Sequence, residues 1–449
     1  MNTKVVDIIV LGNGFNALYS AYYFKKKGLS VALLLDGKPL GGVMRSVQWK
    51  NLTVDLGVHN LDLRRKSSRD FYNEILGKDL IQWEKSDFAS FNGIKFTKGI
   101  ECPNLEGVEG FDLGTLNCSI AANKRAKIPA KNLKDLIDFR FGYPLSDYIE
   151  KQARRFTSAD LNKLSPKCIE SLSFLSRVFF RSDKEMEKQK SSKPYYNEAY
   201  AVSAFSKEKE FLGSNAYGKT FGYPKGGLLT FCRKFEDYLK ENKIKLISGK
   251  VVKCSSLNKL KKIELDDETI CSKQIYSTIP IRQTYEMFLG EKYDDYKNIG
   301  GTILVAYRIK GKNLGKEIGY EYIHDFSPDA QFFRVGAVGI KAEEIAEGIV
   351  CVEIPFDPKK SSSKSHEIKP ERVWKRIRDL KFVGSCRDYC DVKILKHGRT
   401  HTFLTIKEER EDGKLEGILK DREIYTVPTL LRGREAFINY FKINQYPED

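Results

Sequence analysis

The sequence predicts an α/β fold: a parallel sheet built on a glycine-looped βαβ unit, with an inserted α+β domain. Three observations predict it. Near the N-terminus an apolar run, Val5–Leu11, leads into the turn Gly12-Asn13-Gly14-Phe15-Asn16-Ala17, a helix-like stretch Ala17–Lys27 closed by Gly28, and a second apolar run, Val31–Leu35. That is one βαβ unit of about 30 residues, and its unbroken apolar runs suit strands buried on both faces. After a charged and aromatic stretch, 60–210, the α/β pattern returns at Phe221. Finally, 449 residues with 41% hydrophobic and 31% charged residues exceed one ordinary domain and suit a full-sized core, not a disordered chain.

Taken in order, the elements are as follows. The 60–210 stretch has helix-like patches at Lys131–Phe156 and Ser158–Phe180, and its polar run Arg181–Pro194 reads as an exposed loop. The turn Gly222-Tyr223-Pro224-Lys225-Gly226-Gly227 precedes an amphipathic helix, Leu228–Asn242, and a strand, Ile244–Ile247. Strands are expected at Thr302–Ile309 and Ile349–Ile354, and a loop at 357–366. The expected division is 1–75, 210–280 and 396–449 for the nucleotide-binding domain, with a helical insertion at 76–209 and a strand-rich one at 281–395.

Gly12-x-Gly14-x-x-Ala17 has the spacing of a dinucleotide loop. The first glycine makes the tight turn, and the second lets backbone approach a pyrophosphate. The small third residue lets the helix pack on the strands, so that the pyrophosphate meets the helix N-terminus. Asp36 closes the second strand roughly 24 residues after Gly12, placed to accept hydrogen bonds from a ribose. This context makes the unit Rossmann-like and nucleotide-binding, but does not separate NAD from FAD. A second glycine loop follows at once, Gly41-Gly42-Val43-Met44-Arg45-Ser46, where a nicotinamide dehydrogenase usually continues into a helix. Then comes Asp55-Leu56-Gly57-Val58-His59.

With these motifs the chain resembles the FAD-dependent amine oxidase superfamily, which includes monoamine oxidases, protoporphyrinogen oxidases, phytoene desaturases and UDP-galactopyranose mutases. The resemblance rests on the first loop with Asp36, where the family more often has Glu, and on Gly41, Gly42 and Ser46, with Val43 where the family often has Arg. It rests also on Asp55-x-Gly57-x-His59, on Tyr223-Pro224-Lys225-Gly226-Gly227 and on Ser277-Thr278-Ile279-Pro280. Phe139–Leu145 and Leu164–Pro166 are similar to the helical insertion of the mutase and protoporphyrinogen oxidase branches. Gly433-Arg434 is similar to a mutase segment, although Ala436 replaces its second glycine and only nine residues follow Tyr440, so the family's closing helix is expected to be short or missing.

The resemblance implies a Rossmann-like FAD-binding domain with an inserted α+β substrate domain, and one non-covalent FAD. Contacts to it are implied for Gly12, Gly14, Phe15, Asn16, Ala17, Asp36, Gly41, Gly42, Val43, Met44, Arg45, Ser46, Gly57, His59, Val251, Gly433 and Arg434. Val251 falls where the family places a valine whose backbone contacts adenine. His59 and Arg45 are the candidate catalytic residues, expected beside the flavin ring. Local readings remain open: His59 as a structural histidine, Arg45 as a surface charge, Arg434 as a phosphate ligand or not. The implied activity is oxidation of a small or medium organic substrate by hydride transfer to flavin. A flavin-dependent sugar-nucleotide isomerase and a non-catalytic flavoprotein-like subunit are the alternatives.

The net charge of +17 is spread along the chain with acids interleaved. It reads first as a solvated lysine-rich surface, compatible with an anionic small-molecule substrate. No nucleic-acid motif accompanies it. Nine scattered cysteines without a CxxC argue against a disulfide framework and a zinc site, and suit a reducing cytoplasm. No metal is expected: His324, His366, His397 and His401 are separated or in polar surroundings, and Gly398 disfavours a helical His397/His401 pair. No signal-peptide layout and no run of about 18 apolar residues is present, so no integral membrane segment is expected. Tyr195–Tyr200 reads as a packed aromatic cluster, with a place in the substrate pocket as the alternative. Oligomeric state is left open. One consequence is directly measurable: Asp36→Ala should weaken FAD binding by about 2–3 kcal/mol, the scale of a hydrogen bond to a charged group. Flavin retained after dialysis at the wild-type level would refute the role of Asp36.

Overall fold

Two sheets of opposite character organise the chain, and the first explains why the N-terminal strands are apolar throughout. The computed structural model describes residues 4–83, 87–126, 130–203, 221–257, 260–311, 314–342, 347–359, 368–384, 388–431 and 434–443. In the first sheet the strands lie in the order Lys245–Ile247, Val31–Leu34, Lys4–Leu11, Thr269–Ser277, Leu260–Leu265 and Val251–Leu257, with Ile424–Thr426 added to Thr269–Ser277. The pairs around Lys4–Leu11 and the Ile424–Thr426 pair are parallel, and the Val251–Ser277 meander is antiparallel. Strand side chains alternate, so each face needs its own cover. Ile8, Val10, Val31 and Leu33 pack under helices Phe15–Lys26, Lys66–Leu76, Leu228–Glu241 and Arg434–Ile443. Ile9, Leu11, Ala32 and Leu34 pack under Ile281–Leu289 and Ile406–Lys420.

The second sheet runs Asp391–Phe403, Asn298–Lys310, Glu347–Phe356, Arg334–Gly336, Tyr322–Asp325, Phe88–Phe91, Phe96–Lys98. Its Ile303, Val305, Ile323, Val335 and Val352 face helix Pro370–Asp379 through Val373, Trp374 and Ile377. A helical layer with its own core, helices Leu113–Ala126, Leu133–Phe141, Leu145–Thr157, Asp183–Ser192 and Pro194–Ala199, lies on its other side.

Several sequence expectations need correction. Arg181–Pro194 is largely a helix, Asp183–Ser192: Ser182 accepts a hydrogen bond from the Glu185 N–H, and Met186 and Lys190 are buried against the helical layer. Ser158–Phe180 holds only short turns, Cys168–Ser171 and Ser173–Leu175. The C-terminal stretch, whose closing helix was expected to be short or missing, forms a ten-residue helix, Arg434–Ile443, docked through Phe437, Ile438 and Phe441, and the residues after Ile443 lie outside the described ones. The expected division also shifts. Phe88–Lys98, placed with the helical insertion, belongs to the second sheet, and Asp391–Phe403 runs across the 395/396 boundary into it. Ile281–Leu289, placed with the strand-rich insertion, covers the first sheet. The 209/210 boundary, most of the 357–366 loop, His366 and Gly433 lie outside the described residues.

Phe441 joins the closing helix to the sheet and first helix, with its ring 4.8 Å from Tyr23, 5.6 Å from Phe24 and 5.2 Å from Tyr276 between centroids. Phe441→Ala should destabilise the protein by about 3–5 kcal/mol in denaturant unfolding, the usual cost of emptying a buried phenylalanine site. A loss below about 1 kcal/mol would show that this helix is not docked.

Candidate cofactor cleft and substrate cavity

The glycine motifs hold one another. Gly12 has φ of +134°, and a Cβ there would fall 2.2 Å from Thr278 Oγ1. Thr278 in turn donates to the Leu11 carbonyl through both its N–H (2.8 Å) and its hydroxyl (3.0 Å). The second loop lies against the first: the Gly41 N–H donates to the Asn13 carbonyl at 2.7 Å, and a Cβ on Gly42 would sit 2.8 Å from Gly14 Cα. Outside Gly14 there is open space. Helix Phe15–Lys26 starts there with no side-chain cap and no acid in its first turn. Its first N–H groups and the positive end of its dipole therefore face that space, an arrangement that suits a pyrophosphate. Phe15 and Ala17 themselves are core residues.

Asp36 and Val251, assigned separately in the sequence to the adenosine end, come together: the Val251 N–H donates to Asp36 Oδ1 at 3.0 Å. At the other end the Asp55–His59 stretch is tied in from three directions. Asp55 accepts from Ser46 Oγ at 2.5 Å, from the Tyr223 hydroxyl and from the Leu228 N–H at 3.2 Å. Its carboxylate thus caps helix Leu228–Glu241 from outside, favourably placed against the helix dipole. Burial pushes the Asp55 carboxyl up, while those donors pull it back. The Val58 N–H donates to Glu353 Oε1 at 2.7 Å. His59 Nε2 lies 3.4 Å from the Leu56 carbonyl oxygen. Burial takes its imidazole down to about 3, with the Arg434 and Arg334 charges adding to the shift.

The remaining candidates gather around this loop. Arg434 donates to the Asn60 carbonyl and rests against the Met44 sulfur at 3.7 Å. Met44 is buried in the core, and its carbonyl accepts from the Cys232 thiol. Val43 is exposed, and the Arg45 carbonyl accepts from the Leu56 N–H. Ser46 spends its hydroxyl on Asp55, so its role in the described structure is to hold the loop. The contacts thus fall into three groups: Asp36 with Val251, Gly12–Gly14 with Gly41–Gly42, and the Gly57–His59 loop with Arg434.

Sequence reasoning missed a cavity of about 550 Å³ between the second sheet and the helical layer. Its sheet side carries Thr302, Tyr322, His324, Arg334 and Glu353, and Arg64 and Arg177 also line it. Arg334 forks onto Glu353 through Nε and Nη2 at 2.8–3.1 Å. His324 and His401 both line this cavity. His324 is 3% exposed, held well below the usual imidazole value by burial and then by Arg334. The available sequence signal was alternation: Tyr322-Ile323-His324, Arg334-Val335 and Val352-Glu353 each alternate charge or aromatic with aliphatic. Tyr200 packs in the helical core, its hydroxyl donating to Asn117, while the cavity takes the adjacent Ala201 and Val202.

Because His59 is neutral in the folded state well below pH 6.5, the unfolded chain binds the extra proton first on acidification. Its share of stability is complete above about pH 6.5 and is lost as pH falls toward 3. Denaturant unfolding at pH 7 and pH 4.5 should therefore show wild type losing more stability than His59→Asn. Equal losses would contradict the buried, neutral imidazole.

Residues 10–75 match the family model described as NAD(P)-binding Rossmann-like domain. A protein described as probable flavin-containing monoamine oxidase A, from Dictyostelium discoideum, is 28% identical over 94 residues; the match spans 21% of this chain and 21% of that protein's length. Among solved structures, reduced UDP-galactopyranose mutase superposes with a TM-score of 0.68 at 13% identity, over 96% of this chain and 91% of that one. A putrescine oxidase variant gives 0.60 at 10% identity, over 98% of both chains. A putative protoporphyrinogen oxidase from Exiguobacterium sp. 255-15 gives 0.57 at 14% identity, over 99% of this chain and 100% of that one. Among the described residues no helix is long and apolar enough to cross a membrane, and no group of three or more His, Cys, Asp or Glu could hold a metal ion. The chain thus carries a Rossmann-like segment at residues 10–75 within a fold similar to those of UDP-galactopyranose mutase, a putative protoporphyrinogen oxidase and putrescine oxidase.

Proposed function

We propose that the protein is an FAD-dependent oxidoreductase that oxidises a small or medium organic substrate, with the first sheet and its helices as the FAD domain and the second sheet with the helical layer as the substrate domain. The observation that carries this reading is the uncapped N-terminus of helix Phe15–Lys26, facing open space at Gly14 beside a second glycine loop. FAD, when bound, supplies the hydride acceptor. The chain's own residues bind and orient. The Asp36 carboxylate takes the ribose hydroxyls, and the N–H groups at the start of the helix take the pyrophosphate. Arg45 and Arg434 place positive charge near the loop that carries His59. His59, held neutral, offers a hydrogen bond without a charge. The cavity beside Arg334 receives the substrate and keeps water from it.

A second reading, a flavin-dependent sugar-nucleotide isomerase, is supported by Arg64, Arg177 and Arg334 lining one cavity, since guanidinium groups suit phosphate geometry. The likeness to UDP-galactopyranose mutase supports it as well. The third reading is a non-catalytic flavoprotein-like subunit, which the expected short or missing closing helix supports.

The purified protein, incubated with FAD and desalted, should show the absorption of oxidised flavin. A colourless protein that retains none refutes the proposal. His59→Ala and Arg45→Ala should shift the flavin reduction potential or turnover with the fold intact. If both keep wild-type potential and activity, they have no place beside the ring. Turnover of UDP-galactopyranose that requires prior reduction by dithionite would select the isomerase.

A further inference from the structure

Outside the cofactor cleft, one ion pair belongs to two places at once. Glu353 lies on the second sheet, facing the cavity, and is 8% exposed. Its Oε1 also accepts the Val58 N–H at 2.7 Å, one residue before His59. The approach is close because Gly57 has no side chain: with φ of +134°, a Cβ there would stand 3.1 Å from Glu353 Oε1 and 3.0 Å from His59 Nε2. Glu353 therefore fixes the loop by its backbone, at the point where the loop turns.

Arg334 holds Glu353 in turn. Strand pairing sets the two residues opposite each other, and the fork uses Nε and Nη2. Nη1 takes no part in that fork. Arg334 also lies over the Tyr322 ring at 5.7 Å, on the wall it shares with Arg64 and Arg177. An anion entering this cavity meets a guanidinium whose other edge is the anchor of Glu353. A partly buried carboxylate that loses part of its counter-charge rearranges or takes up other donors, because the charge is costly in a medium of low polarity.

We infer that the Arg334–Glu353 pair couples anion occupancy of the cavity to the loop carrying His59, with Glu353 as a positioning residue. The inference deepens the proposed function and rests on its reading of the cavity as the substrate chamber. It makes the cofactor-side loop responsive to whether a substrate is present. No residue of the pair needs to touch the reacting atoms.

The test uses the full-length protein, inorganic pyrophosphate as the anion probe, and hydrogen exchange of the segment holding Val58. No flavin is required, so failure to bind FAD would overturn the proposed function and leave this result standing by itself. In wild type, saturating pyrophosphate should change exchange of that segment by about tenfold, the scale of one hydrogen bond released or tightened. Glu353→Gln keeps an oxygen for the Val58 N–H and removes the charge that Arg334 holds. It should exchange within about threefold of wild type without pyrophosphate and respond to it by less than about twofold. Glu353→Leu, which has no acceptor, should exchange fast under both conditions. A pair that is merely structural would leave wild-type exchange unmoved by pyrophosphate, and that outcome overturns the coupling. So does a Glu353→Gln protein that responds like wild type.

Discussion

The contact on which the rest depends is backbone against backbone at the two glycine loops. Gly42 lies so near Gly14 that a single added carbon would stand 2.8 Å from the Gly14 Cα, and Gly12 is pressed as closely by Thr278. Nothing larger than hydrogen fits between these chains, so their separation is set by the peptide itself. Three segments far apart in sequence, at residues 12–14, 41–42 and 278, are thereby fixed at one corner of the sheet. The start of helix Phe15–Lys26 is left uncovered there because the neighbours that crowd the corner are glycines. A Cβ at Gly12, Gly41 or Gly42 would strike Thr278, Cys232 or Gly14 and push the segments apart.

From that corner the construction divides by polarity. The first sheet is aliphatic on both faces and covered by helices on both, which gives a rigid support with no chemistry of its own. The second sheet is aliphatic on one face only. Its other face carries Tyr322, His324, Arg334 and Glu353, and these are tolerated because they line a cavity and hold each other. The loop Asp55–His59 joins the two parts. Asp55 binds it to the helix that follows Gly227, and Val58 binds it to Glu353. Two carboxylates thus hold the loop between the two parts, its own Asp55 on that helix and Glu353 of the second sheet on the Val58 N–H, which leaves it little freedom to drift.

Much of this was legible in the sequence where function forces a backbone requirement. The first βαβ unit, the second glycine loop, the Tyr223–Gly227 turn and the Ser277–Pro280 strand end each announce themselves, because glycine, proline and small residues at set spacings have few other reasons to occur. The helix at Asp183–Ser192 was not legible as one: nine of its ten residues are polar and its buried face amounts to Met186 and Lys190. The closing helix was obscured for a different reason. The mutase-like glycine is Ala436, so the motif fails, yet Phe437, Ile438 and Phe441 repeat at helical spacing and that pattern carries the docking. The cavity was the least legible feature. Its residues come from strands that pair only after the chain has folded, and each contributes one or two side chains.

The charge of the molecule illustrates the same limit from the other side. A net +17 is read naturally as a solvated surface, and most of the lysines fit that reading, with exposed ammonium groups paired to nearby acids, as Lys66 with Asp70 and Lys375 with Asp379. Several arginines instead hold buried or half-buried partners. Arg334 is forked on Glu353, Arg64 is held by Asp62, and Arg434 donates to a carbonyl beside His59. Burial makes these charges act at a distance on the imidazole, which is held neutral in part by Arg434 and Arg334. Composition counts both populations alike. Their difference lies in solvent screening, and screening is a property of where the chain puts the group once the sheets have closed.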